Sequence, residues 1–113
     1  MSEKEGEQKR QHFRIVYPFE ARPTATVSGK KHPVLEVSES GLKLSWASTD
    51  LPGKNETLTI KVSFQDGETI TVKGKPIRMD ESAIAFKLSE GFPLQKIMAE
   101  QRFLIKKYKN LNS

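Results

Sequence analysis

From Ile15 onward the apolar residues fall on alternate positions. Ile15, Tyr17 and Phe19 share a parity that Ala21, Pro23, Ala25 and Val27 continue against Arg22, Thr24 and Thr26. That is the period of a strand with one face buried. Pro18 and Pro23 put its first half at an edge or bend, because proline has no N–H to give a ladder. Ser28-Gly29-Lys30 reads as a turn, and Val34–Ser38 as a second short strand. Glu39-Ser40-Gly41 turns the chain into a third, in which Leu42, Leu44 and Trp46 alternate with Lys43 and Ser45. A loop covers Asp50–Asn55. Leu58, Ile60, Val62 and Phe64, and later Ile70 and Val72, alternate with polar residues on either side of Asp66-Gly67, a strong hairpin signal. Gly74 and Pro76 predict a bulge or bend before Ile77 and Met79. After Asp80-Glu81-Ser82 a sixth strand carries Ile84, Phe86 and Leu88.

The period then changes. After Pro93, suited to the first helical position, Leu94, Ile97, Met98, Leu104, Ile105 and Tyr108 follow helical spacing. An amphipathic helix is predicted over residues 93–109, its late lysines complementing the negative end of the helix dipole. Strands followed by one helix predict an all-β fold with a C-terminal helix: a small six-stranded antiparallel barrel or closed sheet with the helix packed on it. Closure removes the exposed edges that so much alternating pattern would otherwise leave. Met1–Gln8 offers nothing to bury, so residues 1–8 are expected to form a disordered tail. Residues 9–113 form the domain, with the barrel over 15–88.

Composition narrows the function classes. A chain of 113 residues holds one domain with a modest core. No apolar run approaches a bilayer span and the N-terminus lacks a signal-peptide core, so a cytoplasmic protein is expected. The absence of cysteine excludes disulfides, thiolate metal sites and cysteine nucleophiles, and a reducing compartment is the natural default. The net charge is +5, yet residues 15–95 hold ten Lys/Arg against ten Asp/Glu, so the excess sits at the two ends. A protein that grips long nucleic acid lays its basic surface along the folded body, so neither DNA nor RNA is an expected partner. His12 and His32 are the only histidines, and neither stands at metal-ligand spacing from a second ligand. Ser38 and Ser40 have no base near them in sequence. The chain reads as a non-enzyme without cofactor or metal.

Two stretches carry the candidate chemistry. Lys9–Arg14 closes the polar tail, and Arg10 and Arg14, four residues apart, project to one side of either an extended or a helical backbone. Paired guanidinium forks suit phosphates or the O6/N7 edge of guanine; a solvated basic tail is the plain alternative. The second stretch is Glu36-Val37-Ser38-Glu39-Ser40-Gly41. A carboxylate there can accept from guanine N–H groups, the Ser38 hydroxyl can donate or accept, and Gly41 lets backbone approach a ligand. Read plainly, the same residues are a polar turn in which Gly41 supplies an unusual φ.

Together these stretches resemble the PilZ domain family: an Arg-x-x-x-Arg segment ahead of the first strand, then an Asp/Asn-x-Ser-x-x-Gly turn. The resemblance spans Lys9 to Tyr108 in strand count and helix position as well. It implies a six-stranded antiparallel barrel with a C-terminal helix, and a receptor for the bacterial second messenger cyclic di-GMP. Arg10 and Arg14 match the two arginines, Ser38 and Gly41 match the serine and glycine, and Lys9 stands where the family often has another base. Glu36 departs from the family's Asp/Asn, its extra methylene moving the carboxylate outward by ~1.5 Å. The implied ligand-binding set is therefore Lys9, Arg10, Arg14, Glu36, Ser38 and Gly41, with the N-terminal arm ordering over the ligand and signalling to a partner protein. The alternatives are a nucleotide-independent PilZ-type protein–protein adaptor and a small barrel binding single-stranded nucleic acid. The last would need stacking aromatics on an outer face, whereas Trp46, Phe64 and Phe86 lie on the apolar parity of their strands.

Overall fold

The computed structural model describes residues 14–47 and 49–108. Lys9, Arg10, the tail over 1–8 and the end of the predicted helix at 109 lie outside the described residues. In chain order the elements are β1 (Ile15–Val16), a 3-10 turn (Phe19–Ala21), β2 (Thr24–Val27), β3 (Lys30–Val37), β4 (Gly41–Ser45), β5 (Leu58–Ser63), β6 (Thr69–Met79), β7 (Ala83–Glu90) and α1 (Leu94–Lys107). All strand pairs are antiparallel. The hydrogen-bonded order runs β1-β3-β2-β5-β6-β7-β4, and a further pairing of β4 with β3 closes a six-stranded barrel. β1 is an addition to the end of β3. The predicted fold class holds.

The first strand is not continuous. Ile15 lies opposite Val37 and Thr24 opposite Pro33, so this strand advances further than its partner, and the excess loops out as the 3-10 turn. The prolines explain it: neither Pro18 nor Pro23 can donate to a ladder, so pairing lapses between them. Ile15, Tyr17, Ala21, Pro23, Ala25 and Val27 still point inward, but Phe19, on the same parity, is 80% exposed. Alternation fails there because the turn is not a strand.

Elsewhere the turns match their chemistry. Ser28 and Gly29, with φ of 50° and 81°, form the tight β2–β3 hairpin, which starts β3 four residues earlier than Val34. At the β5–β6 hairpin Gly67 alone takes a positive φ, 95°, while Asp66 accepts the Glu68 N–H on its side chain at 2.9 Å. The predicted bulge in β6 is present at Ile77, the extra residue between Pro76 and Arg78; beside Gly74 the extra residue is instead Ser89 on β7. Inside, Val34, Leu44, Ile60, Val62, Val72, Ile84 and Phe86 are fully enclosed and form the centre of the core. Trp46 and Phe64 are buried too, so the aromatic residues that a stacking face would need are committed to the interior.

The helix differs from its sequence pattern in the face it buries. Pro93 is the cap rather than the first helical residue; its ψ of 142° is extended, and its carbonyl accepts the Ile97 N–H at 3.2 Å. Ile97 and Leu104 reach the core, but so do Lys96 and Glu100, while Leu94, Met98 and Ile105 remain exposed. Lys96 Nζ sits 2.7 Å from Asp66 Oδ2, 2.9 Å from Glu68 Oε1 and 3.5 Å from Glu100 Oε2. It also lies 4.4 Å from the centre of the Phe64 ring. Tyr17 donates its hydroxyl proton to Glu100 Oε1. These bonds tie α1 to the β5–β6 hairpin and to the residue following β1. Burial works against the Lys96 ammonium, but its hydrogen bonds to Asp66 and Glu68 outweigh that and its pKa is raised. The bond from Lys96 holds the Asp66 carboxyl below its usual range.

Candidate functional site

Strand register assembles the candidate site. Val16 on β1 faces Glu36 on β3, Glu36 faces Lys43 on β4, Lys43 faces Ala85 on β7, and Ala85 faces Arg78 on β6. With strands spaced ~4.8 Å apart, this row spans about 14 Å from Glu36 to Arg78. Ala85, the smallest residue in the row, leaves a depression between the two long cationic side chains. Bulges adjoin both ends. Leu35 is the extra residue between Val34 and Glu36, and Ile77 is the extra residue between Pro76 and Arg78. A bulge re-aims the side chains beside it; this one leaves Ile77 and Arg78 both exposed.

The Glu36–Gly41 corner borders the same depression. Ser38 N–H donates to the Gly41 carbonyl at 2.9 Å, closing the β3–β4 turn. The turn is anchored from behind: the Ser40 carbonyl accepts Leu88 N–H at 2.9 Å and the Glu39 carbonyl accepts Phe92 N–H at 3.1 Å. Gly91 makes that approach feasible, since a Cβ there would overlap the Glu39 carbonyl oxygen. Gly41 does not supply an unusual φ, correcting the expectation for a polar turn. It supplies room, because a Cβ at that position would sit 2.9 Å from Ser38 Oγ.

Arg14, Glu36, Ser38 and Gly41 thus line one open pocket of about 550 Å³, which Lys43, Ile77 and Arg78 also border. Arg14 Nε lies 3.5 Å from Glu36 Oε1, and Lys43 Nζ lies 3.9 Å from Glu36 Oε2. Glu36 therefore sits between two cations. Arg78 pairs with Asp80 at 3.8 Å. Of the six residues expected to bind ligand, four come together; Lys9 and Arg10 are outside the described residues. Lys43 and Arg78 are additional pocket cations. Lys43 is legible as the polar-parity residue two positions after Gly41, whereas the bulge at Ile77 hides the direction of Arg78.

Three cationic side chains and one carboxylate around an open pocket suit an anionic ligand with flat, hydrogen-bonding parts. Among the described residues no group of three or more His, Cys, Asp or Glu could hold a metal ion, and no helix is long and apolar enough to cross a membrane.

No protein-family model matches the chain, and no curated protein matches it in sequence. Solved structures do match in fold. An uncharacterized Legionella protein, Lpg0364, aligns with a TM-score of 0.52 at 16% identity, covering 88% of this chain and 97% of that one. The Bacillus subtilis inhibitor of motility, MotI/DgrA, aligns with a TM-score of 0.58 at 15% identity, covering 91% of this chain. This chain spans 53% of that protein's length. At such identities the likeness is one of architecture: the chain has the small β-barrel fold of these bacterial proteins, in keeping with a PilZ-like fold.

Proposed function

We propose that this protein is a bacterial cyclic di-GMP receptor of the PilZ type, acting as a cytoplasmic adaptor that performs no covalent chemistry. The observation that carries this reading is the convergence of Arg14 with the Glu36–Gly41 corner on one cation-lined pocket. In this reading Arg14 binds phosphate or the Hoogsteen edge of guanine, and Lys43 and Arg78 add charge from the barrel face. Ser38 bonds a polar edge of the ligand, and Gly41 keeps the backbone close to it. Glu36 accepts from guanine N–H groups once the ligand takes over its cations. Lys9 and Arg10 belong to the arm that closes over the ligand, and the covered surface signals to a partner protein. The resemblance in motif order and the architecture shared with the inhibitor of motility support this reading.

Calorimetric titration with cyclic di-GMP, with GTP and cyclic GMP as controls, tests it. Cyclic di-GMP alone is expected to give saturable heat. Removing one charge-assisted arginine contact forfeits about 1.5–3 kcal/mol, so Arg14→Ala should weaken binding by roughly 10- to 100-fold. Glu36→Asp should bind equally or more tightly. Absence of heat, or an affinity indifferent to Arg14→Ala, refutes the proposal. The first outcome would favour a nucleotide-independent adaptor, a reading favoured by the way Glu36 already engages both Arg14 and Lys43.

A further inference from the structure

Part of the apolar stripe that sequence spacing gives α1 lies outside the core. Leu94, Met98 and Ile105 are 44%, 37% and 46% exposed, while the helix turns Lys96, Ile97, Glu100 and Leu104 toward the barrel. At 3.6 residues per turn the exposed three fall about 120° round the helix from that buried face. Exposed apolar side chains scattered singly are ordinary. These are not scattered. Leu94, Met98, Gln101, Ile105 and Tyr108 stand four, three, four and three residues apart, which is the heptad seam of a coiled coil.

The width of the seam says what it fits. Leu94, Met98, Gln101 and Ile105 lie within about 60° of arc, whereas a helix packed on a broad apolar surface shows a stripe of about 100° or more. Gln101, half-buried, occupies the middle of the seam, where a single polar residue sets the register of a helix pair. Against a bilayer the same amide would be carried unpaired into the centre of the apolar contact.

Charge selects the partner. Arg102 and Lys106 border the stripe, both are exposed, and neither pairs with a carboxylate among the described residues. The helix carries one acid, Glu100, and it is buried. A second copy of this chain would therefore set these cations against their like. The chain's own segments outside the described residues do not match the seam either, since 1–13 and 109–113 hold Met1, Phe13 and Leu111 as their only large apolar residues.

We infer that the outer face of α1 is a docking surface for an amphipathic helix of another protein, with apolar residues at heptad spacing and acidic residues beside them. Leu94, Met98 and Ile105 take the apolar edge, Gln101 fixes register, and Arg102 and Lys106 pair with the acids. None of these residues lines the Arg14 pocket, so the inference is independent of cyclic di-GMP binding.

Two stapled two-heptad peptides test it, each with leucine along the seam and either glutamate or lysine at the flanking positions. Stapling is needed because so short a helix is marginal in water. The glutamate peptide should shift the α1 amide resonances of the full chain saturably, and the lysine peptide should bind at least tenfold more weakly. Reversing the protein's charges with Arg102→Glu and Lys106→Glu should reverse that preference. Met98→Gln, which removes an apolar contact, should weaken the glutamate peptide about fivefold or more. Shifts that do not saturate, equal affinity for the two peptides, or a preference unmoved by the charge reversal overturn the inference. So does a dimer in sedimentation that Met98→Gln dissolves, which assigns the face to a second copy. Cosedimentation with vesicles of anionic phospholipid that Met98→Gln abolishes overturns it too, and assigns the face to a membrane. The comparison of peptides on the unmodified protein stands even where a variant does not fold.

Discussion

Replacing Lys96 with methionine tests the account of how the helix is held. Lys96 and Glu100 are 6% and 4% exposed, and the ammonium contacts carboxylates on both the helix and the β5–β6 hairpin. Methionine approximates the length of the lysine stem and still covers the Phe64 ring, so little packing is lost. What is lost is the cation. Glu100 then keeps only the Tyr17 hydroxyl, and a buried charge stripped of its partner costs about 3–5 kcal/mol. Against a total stability of about 5–15 kcal/mol for a domain, that is a large share. Urea unfolding of Lys96→Met should show a lower midpoint with an unchanged slope, and the thermal midpoint should fall by roughly 12 °C or more. Adding Glu100→Gln to that variant removes the stranded charge but retains an acceptor for Tyr17, and should recover more than half of the loss. A cost of Lys96→Met below about 1 kcal/mol, the range of an exposed ion pair, or no recovery in the double variant, would refute the reasoning.

Other consequences can be measured on the same protein. Gly91→Ala forces the Glu39–Ser40 turn away from β7, because the new Cβ and the Glu39 carbonyl claim the same space; amide resonances of Ser38–Gly41 should shift and ligand affinity fall by tenfold or more, while Gly53→Ala, which meets only ordinary contacts, should do neither. At alkaline pH, burial and the bond to Glu100 raise the Tyr17 phenol, and Lys96 is raised as well. Groups whose pKa is higher in the folded state give their full stabilisation below the unfolded pKa, so urea midpoints should hold up to about pH 10 and fall above it, less steeply in Tyr17→Phe. For Asp66, whose pKa is lowered by Lys96, the sign reverses: Asp66→Asn should be less stable than the parent near neutral pH, with the gap closing as pH falls below about 4.

Much of the barrel was legible because its strands bury one face, and such strands announce themselves by alternation. Asp66-Gly67 marked its hairpin, and Gly74 with Pro76 marked the irregular stretch of β6. The candidate corner was legible as residue types in order, but the row Glu36–Lys43–Ala85–Arg78 was not, since it exists only once register is fixed across four strands. Phe19 misled because alternation says nothing of the backbone between two prolines. The helix misled for a different reason. Apolar spacing chose the stripe Leu94, Ile97, Met98, Leu104, Ile105 and Tyr108, of which Ile97 and Leu104 are buried, whereas the burial of Lys96 and Glu100 beside them was decided by partners for Lys96 that lie some thirty residues away on a hairpin. Periodicity within a segment carries no record of charges outside it. Gly91 was silent too, since the backbone it admits comes from a distant turn.

The ring of six strands closes through β3 and β4 without any help from β1. The residues that bring Arg14 to the pocket are therefore a clip fastened to a finished cylinder, two residues long, rather than one of its staves. Detaching a clip breaks two cross-strand pairs and leaves the cylinder sealed, so it costs far less than melting the domain. Ile15, the buried half of the clip, leaves the core with it, and Tyr17, pinned to the helix, marks where that freedom stops.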